Sequence, residues 1–343
     1  MRIVDWGLWT YSLPLVRRLV IGNRSISARV GAIISLVSED GLTGYGEAAP
    51  LEGLHRETLT EAIAQLKKIL PRRDAADCLE QLYPSVRFAV EMALFDLEIQ
   101  RDGLSDVASG IRIPINGLVM GQDDDVGRQV ERLVERGYRS VKIKVGRQKL
   151  DDDIRTVNRI KEQLAGRATV RLDANRSWGL DEAVGFCRAV SAEGIEYIEE
   201  PLRDVGRYQE YFESADMAVA LDETLAKSGP DVLSKIEHVY AAVLKPSVLG
   251  GFDRTMEFVR AGRQNGVLPV LSCAFESDLS LRAIALFAAR EGLVDIPMGL
   301  DTMKWFGQSL VPAGFEVTGG CVDIAQLLAC RGVIDKGLLR DVE

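Results

Sequence analysis

The sequence of 343 residues predicts an α/β protein, a barrel of parallel strand–helix units preceded by a separate α+β domain. Three observations carry this reading. From about residue 111 onward, short apolar, β-prone runs alternate with amphipathic helical patterns at intervals of roughly 20 to 30 residues. Seven such units follow one another, which suits a closed (β/α)8-type barrel better than an open sheet. No G-x-G-x-x-G follows the first strand, which counts against a dinucleotide-binding open sheet.

Residues 1–110 form the first domain. In "ARVGAIISLVSEDGLTGYGEAAP" two β-like runs flank Glu39-Asp40-Gly41, a hairpin turn. Helical patterns follow at "HRETLTEAIAQLKKIL" and "PSVRFAVEMALFDLEIQRDG". Residues 111–300 carry the barrel, with strands at "IPINGLV", "SVKIKVG", "TVRLDAN", "IEYIEEP", "MAVALDE", "AAVLKPS" and "LPVLSCA". Helical stretches separate them, from "DDDVGRQVERLVERG" to "GFDRTMEFVRAGRQNG". Residues 301–343 lose the βα rhythm and are expected to pack back on the first domain. No low-complexity linker intervenes, so the domains are expected to dock tightly.

Composition narrows the function. Forty-two Lys and Arg against fifty-one Asp and Glu leave a net charge of −9, which argues against a nucleic-acid binder and leaves small-molecule chemistry open. Five widely spaced cysteines with no C-x-x-C pair indicate neither a disulfide framework nor a zinc site, and suit a reducing cytoplasm. The N-terminus lacks a signal-peptide pattern, and no apolar run reaches about 18 residues, so neither export nor a membrane partner is expected.

In a parallel barrel the chemistry sits at the C-terminal ends of the strands, and here those ends are polar. Strand two closes with Lys142 and Lys144, strand three with Asp173 and Asn175, and strand four with Glu199 and Glu200. Strand five closes with Asp222 and Glu223, strand six with Lys245 and strand seven with Ser272. Asp173, Glu199 and Asp222 come from three successive strands about 4.8 Å apart, so their carboxylates converge. Three such anions repel one another unless a cation sits among them. An all-oxygen donor set favours Mg²⁺, with Mn²⁺ as the alternative, over zinc. The two histidines, His55 and His238, lie away from these ends. Asn175, Glu200 and Glu223 are expected to orient the ligands by hydrogen bonding.

Lys142 and Lys144 share parity and face the barrel interior, while Val141, Ile143 and Val145 face the helices. Burial, and the like charge of Lys142, disfavour the protonated form of Lys144, as a base for proton abstraction requires. Lys245 lies across the barrel from strand two. Two lysines facing each other over a metal suit reactions at a carbon next to a carboxylate.

The motifs "KIK" (142–144), "DAN" (173–175), "EEP" (199–201), "DET" (222–224) and "KPS" (245–247) resemble, in order and spacing, the muconate-lactonising subgroup of the enolase superfamily. Within that subgroup, "YPSVRFAVEMALFDL" (83–97), "LSCAFES" (271–277) and "GLDT" (299–302) are most similar to the o-succinylbenzoate synthase family. The resemblance implies a modified TIM (β/α)7β barrel with an N-terminal α+β capping domain, in which "GYGEAAP" looks like the substrate-covering loop. It further implies that Asp173, Glu199 and Asp222 bind Mg²⁺, that Lys144 is the base and that Lys245 stands on the opposite face. A lysine base with Mg²⁺ is the general pairing of this superfamily.

The implied reaction is a syn dehydration of 2-succinyl-6-hydroxy-2,4-cyclohexadiene-1-carboxylate to o-succinylbenzoate, a step of menaquinone biosynthesis. Ser272 and Gly299, with backbone N–H groups nearby, are the candidates for holding the succinyl carboxylate. Cys273 reads as a packing residue, because no histidine lies near it in sequence to activate it. The same two lysines also serve N-acylamino-acid racemases and dipeptide epimerases, the alternative reading. The epimerases carry an aspartate-rich motif on strand eight, and "VDIPMG" has none.

Overall fold

The chain begins with a strand that its sequence conceals. In the computed structural model, which describes residues 1–21, 24–72, 79–104, 110–119, 124–330 and 332–342, β1 runs over Ile3–Ile21. Pro14 and the Arg17-Arg18 pair break its β pattern, and the register with β2 (Arg24–Ser38) shifts between Pro14 and Leu19, where proline has no N–H to donate. Tyr11 and Leu13 alternate inward around exposed Ser12. The hairpin to β3 (Thr43–Ala48) turns at Glu39–Gly41 as expected, with Gly41 at φ +82°.

Two helices cover this sheet. Thr58 and Glu61 form a capping box at the start of α1 (Leu59–Ile69), and Pro84 opens α2 (Pro84–Asp102). α2 lies directly on β3, because a Cβ at Gly44 or Gly46 would collide with the carbonyl oxygens of Ala93 and Ala89.

The barrel then follows in chain order: β4 (Arg112–Pro114), β5 (Gly117–Val119), α3 (Asp124–Glu135), β6 (Ser140–Lys144), α4 (Leu150–Leu164), β7 (Thr169–Asp173), α5 (Leu180–Val190) and β8 (Ile195–Glu199). Next come α6 (Tyr208–Ser214), β9 (Val219–Leu221), α7 (Glu223–Lys227), α8 (Val232–Lys235), β10 (Val239–Leu244), α9 (Pro246–Leu249), α10 (Phe252–Asn265), β11 (Leu268–Leu271) and α11 (Asp278–Arg290). The tail adds β12 (Cys321–Asp323), α12 (Ile324–Ala329) and β13 (Leu339–Asp341).

Strands β5 to β11 form one parallel sheet in sequence order. It closes through the bridges Ile115–Met298 and Ser272–Gly299, so residues 298–299 take the eighth position. The expected strand "IPINGLV" is split. The Ile115 N–H donates to Gly320 and that of Asn116 to Met298, so β4 pairs antiparallel with β12 while β5 joins the barrel. β13 pairs with β1, which extends the capping sheet to the order β13-β1-β2-β3.

α11 was not legible in the sequence. It is buried on almost every side, so it carries no amphipathic stripe. Its Phe287 stacks on Phe252 at 4.4 Å, and Phe252 meets Phe88 of α2 at 5.3 Å, giving the two domains a continuous core. Inside the barrel, Arg171 is bound by Glu196 at 2.8 and 2.9 Å and lies over the Tyr197 ring. This plug closes the lower end and leaves the C-terminal strand ends open for chemistry. Of the cysteines, Cys187, Cys273, Cys321 and Cys330 are free thiols, and Cys78 lies outside the described residues.

Candidate active site

Strand register brings the site together. Lys144 of β6 pairs with Asp173 of β7, and Asp173 with Glu199 of β8. Asp222 follows β9 and Lys245 follows β10. The Lys142 ammonium donates to Glu199 Oε2 at 2.6 Å and lies 2.7 Å from Asp173 Oδ2. Lys144 donates to the same Asp173 oxygen at 2.5 Å and to Asn175 Oδ1 at 2.8 Å, and Lys245 donates to Asp222. In a closed eight-position barrel β6 and β10 are half a turn apart. Lys144 and Lys245 therefore enter one cavity of about 630 Å³ from opposite walls, with the three acid-bearing strands between them.

The supporting residues have separate tasks. Glu200 points away from the cavity, accepts the N–H groups of Asp222 and Thr224 at 2.9 and 2.7 Å, and so fixes the backbone that presents Asp222. Asn175 links Lys144 to Glu223, donating to Glu223 Oε1 at 2.9 Å. Asn175 and Glu200 both hold positive φ (44° and 42°), a strain offset by these bonds.

Burial dominates the electrostatics. It lowers the pKa of Lys144; Asp173 opposes that and the neighbouring Lys142 adds to it. Burial would also lower Lys142, but Asp173 and Glu199 overcome it and hold this ammonium firmly protonated. Burial would raise Asp173, yet the two lysines keep it well below the usual carboxylate range. Glu199 is pushed up to about 8, first by burial and then by the Asp173 charge.

Among these acids, Glu199 is less fully compensated by the lysines than Asp173. Glu199 Oε1 is buried without a hydrogen-bond partner, as expected of an oxygen that a metal ion would ligate. Asp173, Glu199 and Asp222 share one end of the barrel, but among the described residues they are not drawn into a cluster of metal-binding dimensions. The lysine ammonium groups occupy the space between them. The carboxylate-only donor set suits a hard divalent ion.

Two expectations change. Ser272 and Gly299 line the cavity, but the Ser272 N–H donates to Leu244, the Gly299 N–H to Leu271, and the Ser272 hydroxyl to the Gly299 carbonyl. Their donors belong to barrel closure, so they are not free to grip a carboxylate. The run "GYGEAAP" builds β3 and its exit, and the wall of the cavity begins one residue later, at Leu51, Gly53 and Leu54. Cys273 is buried, its thiol pushed up to about 12 by burial and by Glu276, as suits a packing residue.

Sequence reasoning overlooked two charged residues that line the cavity. Arg147 lies just past Gly146, whose N–H is held by Asp153 at 2.7 Å, and the Arg147 guanidinium has no ion-pair partner among the described residues. A cation three residues beyond Lys144, after a glycine turn, was the available signal. Asp301 accepts from the Leu118 N–H at 2.9 Å and the Tyr138 hydroxyl at 3.0 Å, and it pairs with Lys304. Lys304 is only three residues on, but Leu118 and Tyr138 come from distant segments, and no local pattern announced those two bonds.

Residues 125–328 match the family model described as enolase C-terminal domain-like, and residues 3–97 match that of the MenC N-terminal domain. The chain belongs to the enolase superfamily. Members of this superfamily are enzymes that bind a divalent metal ion, typically Mg²⁺, and act on small-molecule carboxylates. The o-succinylbenzoate synthase of Pasteurella multocida is 30% identical over 317 residues, covering 88% of this chain and 90% of the relative. The chloroplastic protein PHYLLO of Arabidopsis thaliana is 29% identical over 88% of this chain, which spans only 21% of that longer protein.

Among solved structures, the muconate lactonizing enzyme of Pseudomonas fluorescens superposes with a TM-score of 0.86 at 18% identity, covering 99% of each chain. That likeness concerns the fold. The dipeptide epimerase of Methylococcus capsulatus, solved with Mg and a dipeptide, is 26% identical with a TM-score of 0.80, covering 94% of this chain and 97% of the epimerase. No helix among the described residues is long and apolar enough to cross a membrane.

Proposed function

We propose that this enolase-superfamily enzyme is an o-succinylbenzoate synthase, a cytoplasmic carbon–oxygen lyase that dehydrates 2-succinyl-6-hydroxy-2,4-cyclohexadiene-1-carboxylate in menaquinone biosynthesis. The observation that carries the reading is Lys144 and Lys245 entering one cavity from opposite walls, with three acids between them. Asp173, Glu199 and Asp222 would hold Mg²⁺, with Mn²⁺ as a substitute, and Glu200, Asn175 and Glu223 keep that set in place. When bound, the metal supplies a Lewis acid for the carboxylate beside the acidic carbon.

The chain's own residues move the proton. Neutral Lys144, oriented by Asn175, takes the hydrogen next to the carboxylate. The C–H electron pair becomes the new ring double bond as the hydroxyl leaves from the same face. Lys144 returns its proton to that oxygen, so water departs and the base is restored. Lys245 stays charged on the far face, near the developing negative charge and the forming aromatic ring. Lys142, held by Asp173 and Glu199, remains the fixed cation beside the base. Arg147 takes the succinyl carboxylate at the mouth of the cavity.

The match of residues 3–97 and the 30% identical synthase favour dehydration over the racemase or epimerase alternative. The engagement of Asp301 by Lys304 and Tyr138 points the same way, since it leaves no free acid at that position for a substrate amine. The deciding experiment assays dehydration beside a panel of N-acyl amino acids and dipeptides, all with Mg²⁺. Formation of o-succinylbenzoate supports the reading, whereas brisk racemisation without dehydration reverses it.

A further inference from the structure

One arginine ties together the two walls of the cavity that belong to different domains. Arg29 of β2 is almost fully buried; its Nε donates to the Phe275 carbonyl at 2.8 Å and its Nη2 to the Ala49 carbonyl at 2.7 Å. Ala49 leads directly into the covering segment, whose Leu51, Gly53 and Leu54 line the cavity. Phe275 lines it from the barrel side.

Phe275 is strained, with φ at +58°, a region that a residue bearing a Cβ seldom adopts without support. The support is dense. Glu276 accepts the Ala274 N–H at 2.5 Å and bonds Ser247. Glu47 of the capping domain is fully buried, and it accepts the Ser277 N–H at 3.0 Å and the Ser277 and Ser280 hydroxyls at 2.7 Å each. The segment 51–55 satisfies its own backbone, with Leu54 and His55 N–H groups on the Leu51 carbonyl and the Leu51 N–H on His55 Nδ1. It is therefore a small preformed cover, and Arg29 is a direct tether from its stem to the rim.

We infer that Arg29 is a positioning residue that staples the covering segment 49–55 to the strained rim residue Phe275 and thereby sets how tightly the substrate is enclosed. It touches no reacting atom and no proposed metal ligand, so its influence falls on binding, not on the proton transfer.

The test uses the full chain loaded with Mg²⁺, as wild type, Arg29→Met and Arg29→Lys. Steady-state kinetics are measured beside amide hydrogen exchange of residues 49–55 and 272–277, with β7 as an internal control. In Arg29→Met, KM is expected to rise about tenfold with kcat little changed, because two charge-assisted hydrogen bonds are lost. Exchange rises in both segments and stays at the wild-type rate in β7. Arg29→Lys keeps the buried charge but offers a single nitrogen, so it falls between wild type and Arg29→Met; if the methionine variant does not fold, the lysine variant decides alone. Wild-type exchange in both segments, or a uniform rise across the chain with kcat and KM affected alike, overturns the inference. The exchange readout needs no substrate, so this outcome is separable from a failure of the assigned reaction.

Discussion

The ammonium of Lys142 stands 2.6 Å from Oε2 of Glu199, a carboxylate wholly shielded from solvent. Removing one partner of a buried ion pair leaves the other uncompensated, at a cost of about 3–5 kcal/mol. Lys142→Met is therefore expected to lower the urea midpoint strongly in chelator. Added Mg²⁺ should restore much of the loss, because it supplies positive charge to the same carboxylates. Equal destabilisation with and without Mg²⁺ would show that Glu199 is not a ligand.

Lys144→Ala and Lys245→Ala, which also break buried ion pairs and are therefore assayed with Mg²⁺ to offset the lost charge, should keep the fold and fail in turnover. General-base catalysis alone contributes about 10²–10⁴, so kcat of Lys144→Ala is expected to fall by at least that factor. More than about a tenth of wild-type activity in Lys144→Ala would exclude it as the single acid–base group. Circular dichroism on both variants separates lost chemistry from lost fold.

Arg147→Met should raise KM for the dicarboxylate substrate by about ten- to a hundredfold, since charge-assisted hydrogen bonds to carboxylates are among the strongest polar contacts. The effect on kcat is expected to be small, because Arg147 is exposed at the edge of the cavity whereas Lys144, the proposed base, is more deeply buried. Arg147→Lys, which keeps the charge without the fork, should recover part of the affinity. An unchanged KM in Arg147→Met would place the succinyl carboxylate elsewhere.

His55 makes stability depend on pH. Its pKa is lowered to about 4, chiefly by burial, with Glu57 opposing and Arg29 reinforcing the shift. Above the unfolded value near 6.5 the ring is neutral in both states and its contribution is fully present. Between pH 6.5 and 4 only the unfolded chain takes up the proton, so stability falls with acidification by up to about 3 kcal/mol. His55→Gln keeps an acceptor for the Leu51 N–H and does not titrate. Its urea midpoint should be flatter than that of the wild type across that window, and identical pH profiles would exclude His55 as the source.

Much of this protein is legible in one dimension. The βα rhythm from residue 111 onward and the polar closure of successive strands predict a parallel barrel with its chemistry at one end, and the fold is of that class. Strand parity alone turns Lys142 and Lys144 the same way and separates them from Val141 and Ile143. These features are local, because a side-chain period of two and a strand spacing follow from backbone geometry.

What the chain could not announce depends on contacts far apart in sequence. β1 is a strand because β2 and β13 pair with it, in spite of Pro14. α11 is a helix buried on nearly all sides, so its placement follows from packing and not from amphipathic pattern. The donors of Ser272 and Gly299 are spent on closing the barrel, which no motif reveals. Arg29 meets Phe275 across 246 residues, and only the docking of one domain on the other makes that bond. The residue types of the proposed reaction are thus present in the sequence, whereas the enclosure of the site, the state of its ammonium groups and the bond from Arg29 to Phe275 are decided by tertiary burial.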